Sequence, residues 1–251
     1  MTLKALIFDV DGTLADTERD GHRPAFNAAF AELGLDWHWD EILYGKLLAV
    51  TGGKERIKYF VEAFLEPALR PDNVEQVAAD IHRVKTRCYT ELVSRGGLPL
   101  RPGVKRLLEE ARRSGLRLAI ATTTTPANVT ALLEHSLGAG TESWFEVIAA
   151  GDIVPAKKPA PDIYLWALEK LALAPEECIA FEDSGNGILA SRGAGIPTVI
   201  SVNGYTLQDK FESALAVLSD LGDPATPCHV IQGDLGGKAM VDVEMLRCWA
   251  G

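Results

Sequence analysis

Two aspartates separated by a single residue, Asp9 and Asp11, follow the apolar run Leu6-Ile7-Phe8 and precede Gly12 and Thr13. On extended backbone, residues two apart face the same side, so both carboxylates point into one site. The glycine then frees the chain to turn sharply. Like charges this close repel, which favours a shared proton or a divalent cation between them. Glu182 and Asp183 follow a second apolar run, Cys178-Ile179-Ala180-Phe181, and three or four acids around one site make the cation the simpler answer. Donors that are all oxygen select magnesium or a relative over zinc. Thr122 to Thr125 add hydroxyls and backbone amides at a helix start, which suits an anion, and Lys157-Lys158-Pro159 supplies a balancing cation. Carboxylates with a hard cation, a hydroxyl-rich helix start and a lysine together describe phosphoryl transfer.

Residues so far apart in sequence meet only if a fold gathers them. Five β-type runs, Lys4 to Val10, Leu116 to Ala121, Phe145 to Ala150, Cys178 to Phe181 and Pro197 to Val202, alternate with helical patterns from the second onward. This is the signature of an α/β fold, a doubly wound, mostly parallel, Rossmann-like sheet with right-handed crossovers. Val104, Leu107, Leu108 and Ala111 recur at helical spacing, with Pro102 before and Gly115 after them; Tyr164, Ala167, Leu168 and Leu171 form a second stripe. In such a sheet, ligands bind beyond the carboxyl ends of the strands, where the polar segments above all fall. Between Thr17 and Gly96 no strand is evident. Ala25 to Leu33 reads as one amphipathic helix, and Val74, Val77, Ala78, Ile81, Cys88 and Leu92 mark a longer one. The expected organisation is therefore a core of residues 1–16 and 97–251 with an inserted helical cap, residues 17–96. Beyond about Asn203 the pattern weakens.

The 251 residues suffice for a full α/β core, and 47% hydrophobic with 24% charged residues is ordinary for a globular chain. A formal charge of −10 works against attraction to nucleic acid or an anionic membrane. Cys88, Cys178, Cys228 and Cys248 form no Cys-x-x-Cys pair, so neither a disulfide framework nor a zinc site is expected. No secretory signal pattern or membrane-spanning run occurs, and a soluble, cytoplasmic monomer acting on a small molecule is the expectation.

The order of these segments resembles the haloacid dehalogenase superfamily of phosphatases with an α-helical cap. Asp9-Val10-Asp11-Gly12-Thr13 is similar to its first motif, Thr122 to its second, Lys158 before Pro159 to its third, and Phe181-Glu182-Asp183-Ser184-Gly185-Asn186-Gly187 to its fourth. The resemblance implies that Asp9 attacks phosphorus to form an aspartyl phosphate. Asp11 would protonate the leaving alkoxide and then activate water. Mg²⁺ would be held by the Asp9 carboxylate, the Asp11 backbone carbonyl and Asp183, with Glu182 as ligand or as partner to one. Thr122, a backbone amide after it at Thr123, and Lys158 would hold phosphate oxygens.

Caps of this kind read the rest of the substrate. Thr51-Gly52-Gly53-Lys54-Glu55-Arg56 matches the substrate-specificity loop by position, and Lys85 lies where sugar-phosphate members carry a lysine. Lys54, Arg56 and Lys85 suggest a second phosphate. The segment Asp16-Thr17-Glu18-Arg19-Asp20-Gly21-His22 places its histidine one residue later than the commoner family pattern, which puts a role for His22 in doubt. That variant resembles the CbbY branch, phosphatases associated with Calvin-cycle carbon fixation; the substrate would then be a pentulose bisphosphate such as xylulose-1,5-bisphosphate, with Glu18 on sugar hydroxyls. Three other readings share some of these residues. A phosphomutase would use the same two aspartates, a dehalogenase needs neither metal nor second acid, and a sugar-phosphate sensor would bind without turnover. Gly185-x-Gly187-x-x-Ala190 imitates a dinucleotide fingerprint, but Glu182 and Asp183 would face the pyrophosphate.

Overall fold

The computed structural model describes residues 2–96 and 98–250. Its strands are β1 (Ala5–Phe8), β2 (Arg117–Thr122), β3 (Phe145–Ala150), β4 (Cys178–Glu182), β5 (Thr198–Ser201), β6 (Ala216–Leu218) and β7 (Val230–Gln232). They form one sheet in the order β3-β2-β1-β4-β5-β6-β7. All neighbours pair in parallel except β6 with β7. After β1 the chain winds outward through β2 and β3, then returns to β4 and winds the other way. The reversal leaves a crevice between the carboxyl ends of β1 and β4.

Both faces of the sheet are covered, which is why its strands read as continuous apolar runs. Leu6 and Phe8 join one buried layer with Leu118, Ile120, Ile179 and Phe181. It packs under α5 (Val104–Arg113), α6 (Pro126–Leu137) and α9 (Val243–Ala250). Ala5 and Ile7 face the opposite layer with Ala119, Ala121 and Ala180, covered by α7 (Asp162–Leu171) and α8 (Gly185–Gly193). Each large side chain buried in these layers contributes about 1.5–3 kcal/mol relative to exposure. The ends of β1 and β4 are thereby packed from both faces.

Between β1 and α5 lie α1 (Arg23–Glu32), α2 (Glu41–Leu47), α3 (Gly53–Phe64) and α4 (Val74–Ser94), with no strand among the described residues. They enclose an apolar cluster of their own in which Trp39 packs against Phe26, Phe30 and Phe60. Trp37 stands edge-on to Phe30 and Phe60. Two expectations change here. Residues 53–56 are the first turn of α3, not a loop. The stretch after Asn203 carries β6, β7 and α9; β6 and β7 span three residues each and β7 is exposed throughout, too little for a periodic signal.

Candidate active site

β1 and β4 pair in register, Phe8 opposite Phe181, so the residues that follow emerge side by side. Oxygens of Asp9, Glu182 and Asp183 lie within 4.8 Å of one another, and all three residues are buried. Lys158 Nζ donates to Asp9 Oδ1 at 2.7 Å, to Glu182 Oε1 at 2.5 Å and to the carbonyl of Ala121 at 2.9 Å. Tyr164 Oη donates to the same Glu182 oxygen at 2.5 Å, and Asn203 Nδ2 to Asp183 Oδ2 at 2.6 Å. Gly12 lies against this cluster. Its φ is +83°, and a Cβ there would fall 2.2 Å from Asp183 Oδ2, so both conformation and space require glycine.

The charge in this cluster does not balance. Three buried carboxylates face one lysine, which Asp9 and Glu182 hold protonated above its ordinary range against the effect of burial. Burial, only partly opposed by Lys158, pushes the Asp9 carboxyl up to about 8, and Glu182 and Asp11 add to the rise. Burial with the nearby Asp9 and Glu182 raises Asp183 well above the carboxylate range, against Asn203 and Arg101. Among the described residues Glu182 Oε2 is buried without a hydrogen-bond partner. An all-oxygen cluster short of positive charge, with an orphaned carboxylate oxygen, fits a hard divalent cation.

Asp11 stands in the opposite environment. Its Oδ1 accepts from Thr17 Oγ1 at 2.6 Å and lies 2.8 Å from His22 Nε2. His22 Nδ1 lies 2.8 Å from Lys85 Nζ, and its ring stacks on Tyr89. A charged lysine can only donate, so Nδ1 accepts, and Nε2 carries the proton toward Asp11. Burial opposes charge on Asp11, but His22, Thr17 and Lys85 outweigh it and hold the carboxyl below its ordinary range. Burial lowers Lys85 to about 8, opposed by Asp11 and Glu18. The additional residue before His22 would rotate the ring by about 100° on an α-helix. Here Glu18–His22 form a π-helical turn, closed from the N–H of Arg23 to the carbonyl of Glu18, and this turn absorbs the extra residue. His22 thus reaches Asp11 despite its offset in sequence.

A cavity of about 620 Å³ opens over the cluster, lined from the core by Thr122 and Thr123 and from the cap side by Glu18, Thr51 and Arg56. Arg56 is buried and donates to Tyr44 Oη at 2.7 Å; Tyr44 Oη donates to Glu18 Oε2 at 2.5 Å. Glu18 also lies 3.4 Å from the guanidinium. The other two cap cations fall elsewhere. Lys54 precedes Arg56 by two positions, roughly 200° around a helix, and its ammonium turns to Asp152 at 2.6 Å. Lys85 is committed to His22, outside the cavity lining. Gly52 and Gly53 do not line it either; a Cβ on Gly53 would meet the His82 ring at 2.7 Å, so close packing requires that glycine. Lys157 bonds Gly151 and Asp152. Sequence reasoning missed Tyr44, Tyr164, Asn203 and Asn186. Tyr164 was hidden in an apolar stripe, whereas Asn203, just past β5, is where the strand-end rule points. Asn186 Nδ2 reaches across to Thr51 Oγ1 at 3.1 Å.

A model of the haloacid dehalogenase-like hydrolases matches residues 3–195. This chain belongs to that family. The CbbY protein of Cupriavidus necator is 52% identical to this hydrolase over 249 residues, covering 98% of this chain and 96% of that one. CbbY of Rhodobacter capsulatus is 50% identical, over 90% of this chain and 97% of its own. A crystal structure of a CbbY variant from Rhodobacter sphaeroides, in complex with xylulose-1,5-bisphosphate, has a TM-score of 0.81 and 47% identity over 89% of this chain and 98% of that one. The haloacid dehalogenase-like hydrolase described here is an enzyme, a phosphoric monoester hydrolase. None of its described helices is long and apolar enough to cross a membrane.

Proposed function

We propose that this hydrolase is a magnesium-dependent sugar-phosphate phosphatase that works through a phosphorylated Asp9, on a pentulose bisphosphate such as xylulose-1,5-bisphosphate. One observation carries the chemistry: Asp9, at the end of β1, shares a buried site with Lys158, Glu182 and Asp183. The sugar rests on the likeness to CbbY, one relative of which was crystallised with that bisphosphate. We also propose the division into a core of 1–16 and 97–251 and a cap of 17–96; its boundary residue Gly97 and the termini Met1 and Gly251 lie outside the described residues.

Asp9, Glu182 and Asp183, with the Asp11 carbonyl, would hold a divalent cation, which would supply the positive charge that the attacking carboxylate and the phosphate oxygens require. Lys158 and Thr122 steady the transferring phosphoryl group, and Thr123 contributes its backbone amide. An Asp9 oxygen bonds phosphorus as the ester P–O bond breaks, and the leaving alkoxide takes its proton from Asp11. Water then attacks phosphorus and yields a proton to Asp11, and the P–O bond to Asp9 breaks. The hydrogen-bonded line Lys85–His22–Asp11 carries that proton: Lys85 Nζ gives one to His22 Nδ1 as His22 Nε2 gives its own to Asp11, and the proton taken from water returns along the same line. Glu18 and Tyr44 meet sugar hydroxyls; Arg56 with Thr51 meets the far phosphate.

The test is phosphate release from xylulose-1,5-bisphosphate with and without Mg²⁺. Stoichiometric phosphate and pentulose monophosphate, dependent on the metal, support the assignment. An isomerised sugar bisphosphate without free phosphate would make the enzyme a mutase, and binding without turnover would make it a sensor.

A further inference from the structure

Arg101 lies at the point where the chain returns from the cap, and its side chain is buried. Its backbone N–H donates to the carbonyl of Leu14 at 2.8 Å, and its neighbour Leu100 bridges to Ala15. Among the described residues the guanidinium has no carboxylate at hydrogen-bond distance; Asp16 lies 3.9 Å from Nε. Instead it donates to backbone carbonyls from three separate segments. Nη1 bonds Gly12 and, at 2.9 Å, Ser201; Nη2 bonds Val202 at 2.5 Å and Ser219 at 2.6 Å. A buried charge is costly unless hydrogen-bonded, and this one is spent mainly on fixing main chain, with Ser201 Oγ also accepting from Nη1 at 3.3 Å.

The main chain that it fixes surrounds one carboxylate. Gly12, whose carbonyl it holds, is the residue pressed against Asp183 Oδ2. Val202, whose carbonyl it also holds, precedes Asn203, the donor to that same oxygen. Two independent supports of Asp183 therefore each lie within one residue of a bond to Arg101.

We propose that Arg101 is a positioning residue for the metal carboxylates. By clamping the Gly12 turn to the ends of β5 and β6, it fixes the orientation of Asp183 and sets the affinity of the Asp9–Glu182–Asp183 cluster for its cation. This rests on the metal-dependent reading above. Loss of a group that orients a metal ligand costs about 10–100-fold in affinity.

The experiment measures Mn²⁺ binding directly, by the free-ion electron paramagnetic resonance signal, on the full chain without substrate. Thermal unfolding is followed in parallel. Arg101→Lys, which keeps the charge but cannot reach four carbonyls, is expected to weaken Mn²⁺ binding about tenfold or more. At saturating metal, KM for substrate should stay within a few-fold of the wild type. A folded Arg101→Lys protein whose Mn²⁺ affinity is within about twofold of wild type overturns the proposal. Asn203→Ala removes the link between the clamped corner and Asp183 and should weaken Mn²⁺ binding by a similar factor. If it does not, the proposal fails even should Arg101→Lys not fold. Asp183→Asn distinguishes the two levels: when it abolishes Mn²⁺ binding while Arg101→Lys leaves it intact, only the role of Arg101 is lost. A wild-type chain that binds no Mn²⁺ overturns both.

Discussion

Asp9 and Asp11 are two residues apart, yet the structure treats them oppositely. On the core side, Asp9 shares Lys158 with Glu182 and sits beside Asp183, and burial pushes it up to about 8. At the cap junction, Asp11 has Thr17 and His22 to itself, with Lys85 behind, and is held below the carboxylate range. One region lacks positive charge and the other is compensated. Environments that drive two carboxylates apart suit them to different tasks, and the mechanism proposed above divides them so: Asp9 for the cation and the phosphoryl group, Asp11 for protons.

That contrast can be broken from either side. Asp9→Asn should produce the largest effect, a loss of kcat of more than about 10⁴-fold with ligand binding retained, since the proposed mechanism gives the nucleophile no substitute. Measurable steady turnover in that protein would remove Asp9 from its role. Asp11→Asn should cost about 10²–10⁴-fold in kcat while metal affinity holds. If metal binding collapses instead, the two aspartates are not separate in function.

Smaller changes refine the cap junction. His22→Ala deletes one hydrogen bond to a charged carboxylate, worth about 1.5–3 kcal/mol, and so should slow kcat by about 10–100-fold. Lys85, lowered to about 8, is charged below that pH and neutral above it. Wild-type kcat is therefore expected to fall as pH rises through about 8, and Lys85→Met should start lower and show no such limb. Persistence of the limb in Lys85→Met would place it on another group. Lys54→Ala should matter least. Its partner Asp152 is exposed, such pairs contribute about 0–1 kcal/mol, and KM should change by less than about fivefold. A tenfold rise would return Lys54 to the substrate.

Much of the core was legible because its signals are local and redundant. Apolar strands ending in acids, threonines or a lysine fixed both the sheet and the crevice, so Asp9, Thr122, Lys158, Glu182 and Asp183 meet as their positions implied. The cap was harder to read for a geometric reason. Lys54 and Arg56 look alike in sequence, but helical pitch sends them to opposite faces. His22 looked misplaced because counting assumes α-helical spacing, and a π turn corrects it. Tyr44 and Arg101 act through contacts with distant segments, for which a single sequence carries no signal. Short strands β6 and β7 fall below the length at which alternation becomes visible.

The most direct test is chemical. Wild-type enzyme mixed with xylulose-1,5-bisphosphate and Mg²⁺ is quenched in acid within one turnover, and the phosphorylated peptide is identified by mass spectrometry. A hydroxylamine-labile acyl phosphate is expected on Asp9, absent without the metal and absent in Asp9→Asn. Phosphate released in full with no label on Asp9 at any time, or label on another residue, would contradict it.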